Sequence, residues 1–284
     1  MKVGIFNIEP KIHNTAYMQI SAYYKATGSM IEWYNPNNDY DKIYASSLFS
    51  FTDKSVLPKE TICGGSGFDL HSKLPQNIED AQFDYSIYPS CETSYLWFSK
   101  GCNKKCPFCV VPQKEGNIHN ISPRNLNPNG LHLSIMDNSF FANPNWREAI
   151  KYILCTRQKV KAFYGIDVFD LNEETISALL ALKYVRQQNA IKIAWDNPRT
   201  DLEPKLKEIV RLIRPYRLMA YVLIGYWSTE EEDLYRVKTL SKYGIDPFVM
   251  PYDRNDLYQR NLARWCNHKA IFKSVAWKDY RRKA

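Results

Sequence analysis

From Tyr95 onward, short apolar runs alternate with helical stretches, and that alternation limits the fold more than any other feature of the chain. The runs follow YLWF at Tyr95 and lie at Leu131 to Met136, Ala162 to Ile166, Ile191 to Trp195, Met219 to Ile224 and Pro247 to Met250. Between them the spacing predicts helices over Trp146–Thr156, Glu173–Arg186, Pro204–Ile213 and Glu230–Tyr243. Strands separated by helices of about 10 to 15 residues imply right-handed crossovers and a parallel sheet. Gly244 is a good C-cap for the last of these helices, and Asn261 to Tyr280 reads as a terminal helical segment.

The first part of the chain carries a smaller version of the same pattern. KVGIFN over residues 2 to 7 reads as a strand, His13 to Ala26 as a helix, and Gly28 as its stop. Further short runs at Met30–Tyr34, Lys42–Ala45, Thr61–Cys63 and Tyr85–Tyr88 are each bounded by Pro, Gly, Asp or Asn. The expected organisation is a small α/β, Rossmann-like layer over residues 1–92 and a larger α/β unit over 93–284 with a helical C-terminal segment. At 284 residues, 45% hydrophobic and 24% charged, the chain has the balance of a globular protein, and disorder is excluded. No run approaches the roughly 18 apolar residues of a membrane span. The opening MKVGIFNIEP has its apolar run cut by Glu9 and Pro10, so the expectation is a soluble, cytoplasmic protein with no membrane partner.

Seven cysteines with no secretion signal point to a reducing compartment and to metal ligation in place of a disulfide framework. Cys63, Cys91, Cys155 and Cys266 stand alone and read as small structural hydrophobes. Cys102, Cys106 and Cys109 are clustered in GCNKKCPFC with C-x-x-x-C-x-x-C spacing. Three thiolates on one short loop can each take a different iron of a four-iron four-sulfur cube and leave the fourth iron open. A structural zinc site needs four closed ligands, and His119 is the only nearby fourth candidate. GGSGF at residues 64–68 lacks the Lys-Ser/Thr of a P-loop and reads as a tight strand-to-loop turn.

In parallel α/β architectures function collects at the carboxyl ends of the strands. Polar residues stand at those ends: Asp137 and Asn138, Asp167, Asp196 and Asn197, Gly225 and Tyr226. Thirty-eight Lys and Arg against 30 Asp and Glu give a formal charge of +8, which favours a polyanionic partner without naming one.

The three-cysteine spacing, with Phe108 just before the third cysteine, resembles the signature of the radical S-adenosylmethionine superfamily. The β/α alternation is similar to that family's partial parallel (β/α)6 barrel, so the resemblance spans two thirds of the chain. It implies a 4Fe-4S cluster on Cys102, Cys106 and Cys109. The open iron would be chelated by the amino and carboxylate groups of S-adenosylmethionine, which is cleaved reductively to a 5′-deoxyadenosyl radical. By the same resemblance Phe108 lies near the adenine, Asp137 takes the methionine amino group, Arg124 meets the carboxylate, and Gly225 lets adenine approach the backbone. Asp167 and Asp196 would face the cavity and bind ribose hydroxyls or substrate. A reductant such as a flavodoxin or ferredoxin is the implied partner, and the substrate stays open, a nucleic-acid base among the candidates. The cluster loop looks like that of the methylthiotransferases, but only Cys63 and Cys91 precede it. The N-terminal layer looks like a reduced cobalamin-binding domain without the Asp-x-His-x-x-Gly motif, so cobalamin is not expected. Outside the enzymes, the competing expectation is a zinc-containing nucleic-acid-binding protein.

Overall fold

The computed structural model describes residues 1–186 and 188–281. Its first layer is a parallel sheet of four strands, β1 (Lys2–Phe6), β2 (Met30–Trp33), β3 (Lys42–Ser46) and β4 (Ile62–Gly64), in the order β2-β1-β3-β4. The helix α1 (Thr15–Ala26) packs on it, started by Asn14, whose side-chain oxygen accepts from the Ala16 N–H at 3.0 Å. Val3, Ile5, Tyr17, Met18, Ile20 and Tyr24 form the core between them. A short helix α2 (Gln76–Glu79) leads to the second layer.

The second layer is a sheet of six parallel strands. The cluster-loop segment follows β5 (Thr93–Leu96) and comprises β6 (Ser99–Lys100), α3 (Val111–Glu115) and β7 (His119–Asn120). Then come β8 (His132–Ile135), α4 (Trp146–Cys155), β9 (Lys159–Phe163), α5 (Glu173–Ala181), β10 (Ile191–Ala194) and α6 (Glu203–Leu212). The chain finishes with β11 (Leu218–Ile224), α7 (Glu230–Lys242), β12 (Asp246–Pro251), α8 (Leu257–Asn267), α9 (Lys269–Ser274) and α10 (Trp277–Arg281). The sheet order is β5-β8-β9-β10-β11-β12, each strand beside the next, with β5 and β12 at open edges. Right-handed crossovers taken always in one direction put the helices on one face. Along β11, accordingly, Leu218, Ala220, Val222 and Ile224 are buried while Met219, Tyr221 and Leu223 are half-buried.

The caps are written in the sequence. Thr229 accepts from the Glu232 N–H and Glu232 answers to the Thr229 N–H, and Glu230 to Asp233 place four carboxylates at the positive end of α7. Gly244 ends that helix region at φ +72°, a conformation glycine adopts without strain. No helix among the described residues is long and apolar enough to cross a membrane.

Several expectations need correction. Tyr85–Tyr88 is no strand: Tyr85–Ile87 forms a 3-10 turn, capped by Asp84, and its tyrosines plug the first core. The third strand of the second sheet runs over Lys159–Phe163, three residues earlier than Ala162–Ile166, because Gly165 turns the chain at φ +67°. The helix expected to reach Arg186 stops at Ala181, since Tyr184 bridges back to Val160. The terminal helical segment breaks into three helices, at His268 and at Val275. Cys91 and Cys266 are buried as expected of structural cysteines, but Cys63 and Cys155 are exposed.

Candidate functional site

The three-cysteine segment is a closed loop with a fixed base. β6 and β7 pair antiparallel, Ser99 with Asn120 and Lys100 with His119, so residues 101–118 leave and return at one point. Gly101 sits there at φ +77°, and a Cβ on it would stand 2.3 Å from the Asn117 carbonyl oxygen, so no other residue fits. Its N–H donates to Glu115 Oε2 at 2.9 Å, and the Cys102 N–H donates to the Gly116 carbonyl at 3.1 Å. The Asn103 side chain accepts from the Ile118 N–H at 3.0 Å, and Pro112 at the start of α3 makes the remaining turn.

Cys102 is buried, while Cys106 and Cys109 are half-buried. The Lys104 N–H points at Cys102 Sγ, 3.4 Å away, and the Cys109 N–H donates to the Cys106 carbonyl at 3.0 Å. Burial, followed by the proximity of the other two thiols, pushes Cys106 above the usual thiol range. Burial does the same to Cys109, with Cys102, Asp196 and Glu115 adding to it. Cys106 and Cys109 are thus held toward the neutral thiol, and a cationic metal core that accepts both as thiolates would relieve that. Among the described residues no three His, Cys, Asp or Glu side chains are gathered closely enough to hold one metal ion. A cube takes one thiolate at each of three corners, so its ligands need not converge on one point. His119 is exposed, with Nδ1 donating to the Asn117 carbonyl at 3.0 Å.

Most of the strand-end residues gather at this loop. Phe108 meets Tyr226 and Trp227 edge to face, at 5.8 and 6.0 Å between centroids, so the end of β11 closes over the loop. Asp196 lies within electrostatic reach of Cys106 and Cys109, and its Oδ1 accepts the Leu223 N–H at 3.0 Å. Asp167 pairs with Lys104 of the loop and accepts the Phe169 N–H at 2.8 Å. Gly225, at φ +80°, has the carboxamide of Gln259 where a side chain would go, at 2.0 Å from an added Cβ. The glycine therefore serves the turn and this close approach.

Asp137 and Arg124 are engaged elsewhere. Asp137 is 1% exposed, and its carboxylate accepts from the N–H groups of Phe98 and Ser99 and from Ser99 Oγ, at 2.6 to 3.2 Å. It ties the end of β8 to the stem of the cluster loop. Arg124 donates to the carbonyls of Asp80 and Glu79 at 2.7 and 2.6 Å, joining the two layers.

Sequence reasoning missed Glu115, whose Oε2 also accepts from Asn138 Nδ2 at 2.7 Å and so binds the loop to β8. It missed Lys104, Trp227 and Arg236 as well. Only Arg236 left a signal, an arginine and Asp233 three residues apart on the same helix face as Val237 and Leu240.

Burial pushes the Asp137 carboxyl up to about 6, outweighing the hydrogen bonds from Ser99 and Phe98. Because the folded state prefers the protonated acid, this site stabilises most below about pH 4 and loses that contribution as pH rises through 6. Urea unfolding at pH 4 and 7 is expected to show the stability gap between wild type and Asp137→Asn shrinking by about 2 kcal/mol at the higher pH. A gap that widens with pH means the three donors keep the group ionised.

No protein-family model matches the sequence, and no curated protein matches it.

Proposed function

We propose that the chain is a radical S-adenosylmethionine enzyme. The observation that carries the reading is Cys102, Cys106 and Cys109 on one closed loop, at the carboxyl end of the first strand of a six-strand parallel sheet, with Phe108 packed against the end of the fifth. In this reading the open sheet is the wall of a partial (β/α)6 barrel. Cys102, Cys106 and Cys109 hold a 4Fe-4S cluster. When bound, the cluster supplies the electron that cleaves S-adenosylmethionine into methionine and a 5′-deoxyadenosyl radical.

The protein's own work is to bind and to shield. Phe108, with Tyr226 and Trp227 at its edge, offers an apolar wall beside the adenine. Asp196 and Asp167 accept from ribose or substrate hydroxyls, and Gly225 sets the turn that carries Tyr226. With Asp137 occupied beneath the loop, Asp196 and Glu115 are the carboxylates beside the thiols, and of the two we assign Glu115 the methionine ammonium. Phe108, packed against Tyr226 and Trp227, covers one side of the loop and limits the access of water there. The electron comes from a small reductant, a flavodoxin or a ferredoxin, in the cytoplasm.

Elemental analysis of anaerobically reconstituted protein tests this directly. The proposal expects about four iron and four sulfide per chain. One zinc per chain, without sulfide, would support instead the zinc-containing nucleic-acid-binding protein.

A further inference from the structure

The helices cover one face of the second sheet, and the opposite face carries lysines and tyrosines. On β9, Val160 is buried in the helix-side core, while Lys159 and Lys161 are exposed. On β10, Ile191 and Ile193 are buried in that core, and Lys192 between them is half-buried. Lys192 Nζ donates to the Asn189 carbonyl and lies 3.7 Å from Met219 Sδ, so it turns toward the amino end of the sheet. Lys161 reaches the first layer: burial, then the charge of Lys161, holds the His13 imidazole toward its neutral form. His13 Nδ1 is 3.1 Å from the Tyr95 hydroxyl on β5, which places Lys161 on the same open face. Further along, half-buried Tyr164 and Tyr221 are neighbours, and Tyr221 meets the exposed ring of Phe248 edge to face at 5.7 Å.

The acids around this face are few and engaged. Asp246 pairs with Lys269, accepts from Asn189 Nδ2 at 2.7 Å and feels Lys273 as well. Glu92 stands at the β5 edge, 3.9 Å from His132 Nδ1, and Asp196 lies at the other, carboxyl end beside the thiols. Among the described residues, Lys159, Lys161 and Lys192 have no carboxylate within ion-pair distance. Half-burial, with Lys269 nearby, already weighs against the charge on Lys192, and a bound anion would offset it. Separate ammonium donors suit a phosphate, which offers several oxygens and up to two charges, better than a flat carboxylate that a guanidinium fork matches. From Lys192 to Asp196 the chain advances four residues, roughly 13 Å, so an anion held at the lysines leaves room for a body that ends at the cysteine loop.

We propose that the open face of the second sheet binds a phosphate monoester, with the phosphate on Lys159, Lys161 and Lys192 and the organic body along Tyr164 and Tyr221 toward the cysteine loop. Only the role of the bound molecule as substrate rests on the radical-enzyme reading. The binding itself needs no cluster.

The test is isothermal titration calorimetry of the full chain, free of iron, with phenyl phosphate, benzoate and phenol. Phenyl phosphate should bind, and its affinity should fall as salt rises. Benzoate and phenol should bind about tenfold more weakly or less, and Lys161→Ala and Lys192→Ala should each weaken phenyl phosphate about tenfold. Lys161→Arg, which keeps the charge, should retain most of the affinity, and Cys106→Ala should bind as wild type does. Phenyl phosphate that does not bind, that binds no tighter than benzoate, or that binds Lys161→Ala and Lys192→Ala as well as wild type overturns the proposal. Formation of 5′-deoxyadenosine is measured on reconstituted protein without phenyl phosphate, so failure here and failure of the radical-enzyme reading are seen separately.

Discussion

Arg236→Ala is expected to lose about 4 kcal/mol of folding stability. The Arg236 and Asp233 side chains are both 0% exposed, and their ion pair is 2.6 Å long. The guanidinium also donates to the carbonyls of Trp195, Asp196 and Leu223, at 2.8, 3.1 and 3.0 Å, so it laces together the ends of β10 and β11. Removing it leaves the carbonyls of Trp195, Asp196 and Leu223 each short of a donor and Asp233 with Tyr258, whose hydroxyl donates to it at 2.9 Å, and Ser228. Replacing both partners with apolar residues, Arg236→Met with Asp233→Leu, should recover much of the loss, because the uncompensated charge goes too. Urea unfolding of the iron-free chain measures each variant. A loss below about 1 kcal/mol for Arg236→Ala would mean that water reaches the pair. The network has a functional side, since the Asp196 carbonyl it holds also accepts from Trp227 Nε1 at 3.4 Å, and Trp227 packs on Phe108.

Each of Cys102→Ala, Cys106→Ala and Cys109→Ala is expected to drop iron and sulfide to background after reconstitution. A cube held by three thiolates on one loop has no spare protein ligand, and the other cysteines lie outside that loop. Cys106 and Cys109 are only half-buried and fill little of the core, so their iron-free variants should unfold at nearly the wild-type midpoint. That difference separates a lost ligand from a lost fold. A variant that keeps its full iron and sulfide contradicts the assignment.

The parallel pairing of the second sheet was legible because strands that alternate with helices imply crossovers of one hand. Ile191–Trp195 and Met219–Ile224 read as strands, and β10 and β11 lie there. Boundaries were less legible where tertiary contacts decide them. Tyr85 and Tyr88 look like strand residues, yet their rings are needed in the first core, and Asp84 caps a turn that delivers them. Tyr184 could continue α5 by propensity, but its pairing with Val160 pulls it to the sheet.

The site divides the same way. Asp167 and Asp196 stand at strand ends and both reach the cysteine loop, and Phe108 in the motif packs against the end of β11. Asp137 occupies a strand end too, but β8 delivers its side chain beneath the loop, where two N–H groups and a hydroxyl claim it. Periodicity does not distinguish a carboxylate facing a cavity from one facing a buried backbone turn. Glu115 was illegible for a different reason. Its place depends on how residues 101–118 close on themselves, and that rests on Gly101 and the β6–β7 ribbon.

The most direct measurement is chromatography for 5′-deoxyadenosine after the reconstituted protein is reduced anaerobically with S-adenosylmethionine. Wild type is expected to form 5′-deoxyadenosine and methionine in equal amounts, and Cys106→Ala to form neither. A fully loaded cluster that leaves S-adenosylmethionine intact across a range of reductants would contradict the proposed chemistry.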